Sequence, residues 1–360
     1  MKQIVCITGL ISQPRFVKRV QTLLMADYDV TVYGYSRDGY NVNNLPKSIK
    51  VINKGVQKDG GDYLSKFIGG YKDVKQLTES YKGKDVVFYS FSFLTAFWFY
   101  LRRVNYIYEI SDILYGYKKM RFIEPFVKFL DKRVIAKSVL TIMTSEGFRK
   151  YFFGEKNLAN VLVQPNKVSS NILFEKRNVK RIGDSVNFSF IGAIRYFDTI
   201  LRFAKVIGKK FPNHYFHFWG DSSVSSTFME ECKEYKNVIF HGRFRNPEDL
   251  DSIYSQTDIV VAFFENSHLN ERIAEPNKMY EAILFCKPVV VQKNTFVADR
   301  VQSLKCGYTI DAYKDSEIEK FVASLSRDEM ESISKSDLSF DIKTLLDNPY
   351  VIIDRLQELS

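Results

Sequence analysis

Cysteine and histidine are scarce in this chain of 360 residues, which holds four of each. The cysteines lie far apart except for Cys286 and Cys306, they form no Cys-x-x-Cys pair, and no histidine stands near them. This spacing argues against a disulfide framework and against a zinc ribbon. It predicts a reducing, cytoplasmic compartment.

Long apolar runs are also missing. The longest apolar and aromatic stretch, residues 86–101, is interrupted by two serines and a threonine. It is short for a membrane span of about 20 residues and is better explained as a buried strand and helix than as a lipid-facing patch. Gln13, Pro14 and Arg15 come too early for the apolar core of a secretory signal. We therefore expect a soluble chain.

Positive charge is concentrated in the first half. The chain holds 52 Lys and Arg against 42 Asp and Glu, a net charge of +10. Residues 1–166 contain 26 basic and 14 acidic residues, whereas residues 167–360 contain 26 and 28, and the surplus is densest in residues 102–150. A one-sided basic surface indicates an anionic partner, either an anionic membrane face or a phosphorylated substrate, or else an ordinary solvated surface. Nucleic acid is not expected, because no RNA- or DNA-binding motif accompanies the charge.

Two globular domains fit the length and the composition. Hydrophobic residues make up 45% and charged residues 26% of the chain, and a domain usually has about 100–200 residues. Short apolar runs alternate with helix-length segments in both halves, which predicts parallel sheets wound by crossover helices. The predicted strands are residues 4–8, 30–35, 85–89, 106–110, 140–144, 186–192, 215–220, 238–242, 259–263, 288–292 and 307–310, and the clearest helices are residues 14–25, 200–211, 247–256, 276–285 and 316–325.

The predicted fold is α/β, with two Rossmann-like, doubly wound domains facing each other across a cleft. The first covers residues 1–166 and the second residues 167–339, joined near Gln164-Pro165-Asn166-Lys167. Residues 340–360 have helical spacing, and we expect this segment to pack back on the first domain. In such sheets, ligands bind beyond the carboxyl ends of the strands, so the chemistry is sought in the loops there.

The segment that begins at Glu275-Pro-Asn-Lys carries the strongest functional pattern. Pro276 suits the first turn of a helix, which would leave the N–H groups of Asn277 and Lys278 free at the positive end of the helix dipole. Glu281 follows one turn later, where a carboxylate can accept hydrogen bonds from a vicinal diol. A phosphate site beside a diol site describes a nucleoside diphosphate. The alternative from the pattern alone is an ordinary helix start with a solvated Lys–Glu pair.

This segment and several others resemble group 1 (family 4) glycosyltransferases of the GT-B fold, of the bacterial surface-polysaccharide type. Glu275 to Ala282, followed by Lys-Pro-Val-Val-Val, is similar to the nucleotide-sugar loop of that family. The further segments that carry the resemblance are Gln164-Pro-Asn166, Phe190-Ile-Gly192-Ala-Ile-Arg195, Asn237-Val-Ile-Phe-His-Gly242 and Glu248 to Asp258 with the Ile-Val-Val that follows. The resemblance spans essentially the whole second half of the chain and, more loosely, the first.

The resemblance implies a donor site in the second domain. Arg195, three residues after Gly192, is expected to bind the donor diphosphate with Lys278, and both cations would stabilise the charge that develops on the leaving group. No metal is needed in principle for that, and no cofactor is expected beyond the nucleotide sugar as co-substrate. Gly9, at the end of the first strand, would let the backbone approach the donor closely. The plainer interpretations are a surface arginine and a turn glycine.

Two positions depart from the family pattern. Ile273 stands where a second glutamate is usual, which leaves Glu275 or Glu271 to face the sugar. Ile200 stands where a lysine is usual after the loop arginine, so Lys278 is inferred to supply that charge.

The acceptor site is expected in the first domain. Glu109 and Asp112 stand at the carboxyl end of a predicted strand, and Asp112 is our candidate for orienting or deprotonating the acceptor hydroxyl. A helix N-cap is the equally good structural alternative for Asp112. Arg15 and Arg19 follow the first loop on a helix face, where they could meet an anionic acceptor.

The function implied is transfer of a hexose or amino sugar from a nucleoside diphosphate sugar to a glycan or to a polyprenyl-pyrophosphate-linked acceptor. The family implies retention of configuration, and the basic first half suits an enzyme of surface-polysaccharide synthesis at the inner face of a membrane. Two alternatives stay open: a GT-B nucleotide-sugar epimerase, and a non-catalytic glycan- or lipid-binding module.

Overall fold

The computed structural model describes residues 3–36, 45–56, 63–116, 122–172, 177, 179, 183–194 and 196–359. It divides into two compact units. Unit 1 is Met1–Gln164 with Asn348–Ser360, and unit 2 is Pro165–Asp347. Each unit has its own parallel sheet covered by helices.

The described residues of unit 1 form a seven-stranded parallel sheet in the order β3-β2-β1-β4-β5-β6-β7. Strands β1, β4, β5 and β6 are buried almost throughout, as expected for strands covered on both faces. The strands are β1 Gln3–Thr8, β2 Asp29–Ser36, β3 Lys50–Val56, β4 Val86–Ser90, β5 Tyr106–Ile110, β6 Leu140–Met143 and β7 Val161–Val163. The helices are α1 Pro14–Met25, α2 Tyr63–Ser80, α3 Phe93–Leu101, α4 Glu124–Lys137, α5 Glu146–Phe153 and, near the C-terminus, α15 Tyr350–Glu358, with a 3-10 turn at Leu114–Gly116.

Helix α1 shows how the sequence builds this unit. Pro14 occupies its first turn, where the missing N–H costs no hydrogen bond. Phe16, Val20 and Leu23 recur on one face and are buried in the core over β1 and β2. Ile352 and Leu356 of α15 join the same core, so the C-terminal segment is part of unit 1.

The described residues of unit 2 form a six-stranded parallel sheet in the order β10-β9-β8-β11-β12-β13. Counted along the chain this is the order 3-2-1-4-5-6 of a dinucleotide-binding fold, whose switch point lies between β8 and β11. The strands are β8 Asn187–Ile191, β9 Tyr215–Trp219, β10 Val238–Gly242, β11 Ile259–Val261, β12 Val289–Gln292 and β13 Gly307–Ile310. The helices are α6 Phe197–Lys210, α7 Ser225–Cys232, α8 Leu250–Ser255, α9 Leu269–Ile273, α10 Asn277–Leu284, α11 Phe296–Leu304, α12 Asp315–Ala323, α13 Arg327–Asp337 and α14 Ile342–Leu345.

Within the part of the chain that the structure describes, no helix combines the length and the apolar character that a membrane crossing requires.

Candidate functional site

Glycine loops line the carboxyl edge of the sheet of unit 2. Gly192 follows β8 and Gly220 follows β9. Their φ angles are +136° and +139°, which residues with a side chain rarely adopt. The Gly192 N–H donates to the carbonyl of Trp219 at 2.7 Å, so the two loops are held together. A Cβ added to Gly220 would lie 2.1 Å from the Gly192 carbonyl oxygen, which only glycine avoids.

Helix α10 begins beside this edge, in the crossover from β11 to β12. Pro276 is the N-cap, with φ −76° and ψ 144°, so the prediction that it occupies the first helical turn is wrong by one residue. An N-cap residue keeps extended dihedrals, and proline adopts them readily. Asn277 and Lys278 are therefore the first two helical residues. Their N–H groups lack intrahelical acceptors, and Pro276 supplies no side-chain cap.

Glu281 lies one turn deeper in α10 and is almost completely buried. Its Oε1 accepts from Asn277 Nδ2 at 2.9 Å, and its Oε2 accepts from Tyr254 Oη at 2.8 Å and from Lys278 Nζ at 2.5 Å. Burial, followed by the charge of Glu281, raises the pKa of Tyr254 well above its ordinary value, so this hydroxyl stays a donor at any physiological pH. Three donors thus hold one carboxylate in place.

Lys278 connects this network to the glycine loops. Its side chain is 16% exposed, against 3% for Glu281, so Lys278 is the more accessible partner of the pair. A Cβ added to Gly192 would lie 3.9 Å from Lys278 Cε. The structure therefore brings Gly192, Asn277, Lys278 and Glu281 together at the switch point of the sheet, where α/β folds bind their ligands.

The other carboxylates of the donor segment contact protein groups. Glu275 is buried, accepts from Tyr280 Oη at 2.6 Å and lies 3.4 Å from Arg300 Nε of α11. Glu271 accepts from the His268 N–H at 3.1 Å in a capping box at the start of α9. That contact is made by the backbone of His268, the N-cap residue of α9.

The two departures from the family pattern are placed differently. Ile200 is fully buried in the core of unit 2, a position that would not suit a lysine. Ile273 ends α9, two residues before Glu275. Arg195 lies outside the described residues, so its predicted role stays a prediction.

Two aromatic residues of this region were not predicted from the sequence. Tyr254, on α8, stacks on Phe285 with ring centroids 4.3 Å apart and reaches Glu281 from 27 residues away. Trp219, at the end of β9, stacks flat on His241 with centroids 3.5 Å apart, and its Nε1 is buried with no acceptor among the described residues. A lone aromatic residue at a strand end or in a helix carries no sequence signal that separates it from core.

In unit 1, the loop after β1 exposes Gly9 in a bend and leads into α1. Ser12 is buried just before the helix, and Arg15 is half-buried in its first turn. Ser12 Oγ and Arg15 Nε are enclosed atoms without hydrogen-bond partners among the described residues. The helix start offers further free N–H groups, because its N-cap Gln13 makes no side-chain cap.

Arg19 and Glu109 form a buried ion pair. Arg19 Nε lies 3.0 Å from Glu109 Oε2, which also accepts from Tyr89 Oη at 2.5 Å. The pair ties α1 to β5, and each of these two side chains compensates the charge of the other inside unit 1. Asp112 differs from them, since it lies exposed in the bend that follows β5.

Two pairs of aspartates have a spacing that could serve a metal ion. Asp27 and Asp29, and likewise Asp249 and Asp251, have Asp-x-Asp spacing. Asp249 is bound by Arg245 at 2.6 Å, and Asp29 starts β2, at the amino edge of the sheet of unit 1. Among the described residues, His, Cys, Asp and Glu side chains form no group of three that could ligate a metal ion.

Comparisons with known proteins find a family that matches the second half of the chain. Residues 174–339 match the family model described as "Glycosyl transferases group 1". No curated protein sequence matches the chain.

Solved structures resemble the chain along its whole length. Sucrose-phosphate synthase from Thermosynechococcus elongatus is 12% identical, with a TM-score of 0.70 over 99% of this chain and 98% of that one. Alr3699/HepE of Anabaena, solved with UDP and glucose, is 14% identical, with a TM-score of 0.65 over 100% and 98%. WaaG, a glycosyltransferase involved in lipopolysaccharide biosynthesis, is 13% identical, with a TM-score of 0.66 over 98% and 99%. The predicted α/β fold, with two Rossmann-like parallel-sheet domains, is confirmed.

Proposed function

We propose that this chain is a GT-B glycosyltransferase that takes its sugar from a nucleoside diphosphate sugar, which the group 1 match over residues 174–339 and the fold support. The observation that carries the proposal is the contact of Lys278 with Glu281 at the start of α10, beside Gly192. It places a cation, two free backbone N–H groups and a fixed carboxylate within one helical turn. A solved relative in fold, Alr3699/HepE, was crystallised with UDP and with UDP-glucose, which supports the same donor class here.

The start of α10 is the phosphate end of the proposed site. The N–H groups of Asn277 and Lys278 point out of the helix at the positive end of its dipole, which favours an anion there. The Lys278 ammonium carries three N–H donors, and its contact with Glu281 uses one of them. Gly192 has no side chain, and among the described residues a Cβ added there would meet only Lys278 Cε within 4 Å, which suits the close approach of a diphosphate.

Glu281 is the ribose end. A carboxylate has about four acceptor positions, and Asn277, Tyr254 and Lys278 already use three. A vicinal diol needs two. Donor binding is therefore proposed to draw Lys278 from Glu281 onto the diphosphate, which frees the second acceptor for a ribose hydroxyl. Asn277 and Tyr254 keep the carboxylate in position during this exchange.

The transfer itself follows from the same groups. The acceptor hydroxyl oxygen bonds to the anomeric carbon as the bond from that carbon to the diphosphate breaks, and the nucleoside diphosphate leaves with the electron pair. Lys278 neutralises the charge that develops on it, an interaction stronger in the transition state than in the ground state. For a retaining reaction on one face of the sugar, the hydroxyl proton passes to the departing phosphate oxygen, and Asp112 orients the hydroxyl.

The acceptor is proposed to be a glycan or a polyprenyl-pyrophosphate-linked glycan, in cytoplasmic synthesis of a surface polysaccharide. The support in unit 1 is the uncapped start of α1, where Ser12 Oγ and Arg15 Nε are enclosed and unpartnered among the described residues. These groups suit a phosphate of the acceptor.

A panel of UDP-, GDP- and dTDP-sugars, scored by thermal stabilisation, tests the donor proposal. A donor at about 100 times its dissociation constant should stabilise the chain by about 2.7 kcal/mol. Lys278→Ala should abolish the shift. Lys233→Ala, which removes an exposed lysine paired with Glu230 at the same three-residue spacing, should retain it.

Product analysis with the stabilising donor separates the candidate activities. Release of nucleotide that depends on an added acceptor indicates transfer, whereas turnover of donor alone indicates an epimerase. No shift with any donor would indicate a binding module. Asp112→Asn should slow transfer and leave the donor shift intact, and an equal loss of both would contradict its assigned part.

A further inference from the structure

Helix α4 of unit 1 carries an exposed aromatic and basic face, which we call the α4 face. Its apolar members are Phe122 and Ile123, in the turn before the helix, and Phe126 and Phe129 within it. Phe122 is 98% exposed, Phe126 66% and Phe129 52%, values that are unusual for phenylalanine. Its basic members are Lys128, Lys132 and Arg133.

Helix α4 has apolar residues on both of its sides. Asp131, Val134 and Ile135 face the core of unit 1, while Phe126, Phe129 and Arg133 recur at spacings of three and four residues on the opposite side. The exposed phenylalanines therefore form a continuous stripe near the N-terminal end of α4. Contiguous apolar surface of this kind marks a site of interaction with a membrane or a protein.

One cation lies against a ring of this face and another against a ring of the neighbouring helix. The Arg133 guanidinium lies 4.4 Å from the centroid of the Phe129 ring, and the Lys128 ammonium lies 3.6 Å from the centroid of Tyr151, on the neighbouring α5. The two acidic residues of α4 lie away from the phenylalanine stripe, and Glu124 stands beside Lys128. Glu124 accepts from Tyr151 Oη at 2.9 Å, and Asp131 is buried.

We propose that the α4 face docks the enzyme on an anionic lipid bilayer, with the phenylalanines inserted among the lipid headgroups and the cations against lipid phosphates. Basic residues beside aromatic ones on one face of a helix are the composition of interfacial membrane helices. A second copy of the chain fits less well, because a two-fold contact through this face would set like charges opposite one another. Membrane docking deepens the proposed function. It rests on that function in one respect, because a lipid-linked acceptor would be located at a membrane.

Vesicle flotation tests this surface directly. The whole chain is mixed with vesicles of phosphatidylcholine alone or of equal parts phosphatidylcholine and phosphatidylglycerol, at low salt and at about 1 M salt, where the screening length falls to about 3 Å. Binding is expected with the anionic vesicles only and should weaken at high salt. Replacing Phe122, Phe126 and Phe129 together by Ser should lower the partition coefficient at least about tenfold. Reversing charge in Lys132→Glu with Arg133→Glu should lower it by a similar factor or more, because each cation near the surface contributes about fivefold.

Matched controls lie on unit 2. Met229→Ser removes an exposed apolar side chain of α7, and Lys209→Glu with Lys210→Glu reverses two exposed lysines at the end of α6. Both should bind vesicles like the unchanged chain. All variants should keep the thermal shift with donor, so loss of vesicle binding with that shift intact separates this inference from the donor proposal.

Three results would overturn the inference. The first is wild-type vesicle binding by the phenylalanine variant. The second is equal binding to neutral and anionic vesicles at both salt concentrations. The third is a concentration-dependent dimer in sedimentation velocity that the phenylalanine variant loses, without vesicle binding by the unchanged chain, since that would identify the face as a contact between copies.

Discussion

Lys278→Met removes the charged partner of a carboxylate that is almost completely buried. Breaking a buried ion pair from one side costs about 3–5 kcal/mol, because the remaining charge stays desolvated. Here Lys278 is 16% exposed, and Tyr254 and Asn277 still donate to Glu281, so the expected loss of unfolding free energy is about 2–3 kcal/mol. For a unit of this size the melting temperature should fall by about 5–10 °C.

The chain offers a reporter for this measurement. Its two tryptophans are Trp98 in unit 1 and Trp219 in unit 2. In a Trp98→Phe background, tryptophan fluorescence during urea unfolding therefore follows unit 2, and the cost of the background change cancels between variants. A double-mutant cycle of Lys278→Met with Glu281→Gln should give a coupling energy of at least about 1 kcal/mol. The reason is that Glu281→Gln makes the buried side chain neutral, so that Lys278→Met then no longer leaves a buried charge without its partner.

A loss below about 0.5 kcal/mol for Lys278→Met, with additive effects in the cycle, would refute the reasoning. It would mean that Lys278 and Glu281 are solvated independently and that no poised ion pair awaits the donor. Lys233→Met is the control. It removes an exposed lysine from a pair of the same spacing and should change stability by less than about 0.5 kcal/mol.

Three further results are expected. Tyr254→Phe removes a hydroxyl donor from the buried carboxylate, so it should cost about 1–3 kcal/mol in urea unfolding and weaken donor binding in calorimetry. Gly220→Ala drives a methyl group against the Gly192 carbonyl and should lower both stability and donor affinity, whereas Gly69→Ala, where an added Cβ meets nothing within 4 Å, should do neither. Burial raises the pKa of Asp337 from 3.8 to about 8, so the folded chain holds a proton there that the unfolded chain releases between those values. Stability should therefore fall as pH rises through that range, and Asp337→Asn should flatten the fall when unfolding is measured at pH values across it.

The strands that define both sheets were predictable because parallel strands are buried on both faces and appear as continuous apolar runs. Strands β4, β5 and β12 fall within one residue of their predicted bounds. The edge strand β3 was missed, because it is largely exposed and its sequence does not alternate. Helices α7 and α11 were missed as well, since each is short, although Val297, Val301 and Leu304 of α11 recur at helical spacing.

The donor site was predictable only in part. A proline followed by Asn277, Lys278 and Glu281 is a local pattern, and local patterns identify a helix start. Tyr254 completes the site from another helix, and only the tertiary packing of α8 on α10 brings its hydroxyl to the carboxylate.

The pairing of Arg19 with Glu109 could not be predicted for the same reason, since it also depends on tertiary packing. The two residues are 90 positions apart, and each alone resembles a surface charge beside a strand end. The predicted roles of both residues in acceptor binding stay predictions. Their burial against each other disfavours a direct contact with the substrate.

A crystal structure with bound UDP or GDP tests the central claim most directly. The account predicts a phosphate oxygen within hydrogen-bond distance of Lys278 Nζ and of the first N–H groups of α10, and a ribose hydroxyl on Glu281 with Lys278 drawn away from it. A nucleotide bound elsewhere in unit 2, with Lys278 still on Glu281, would contradict it.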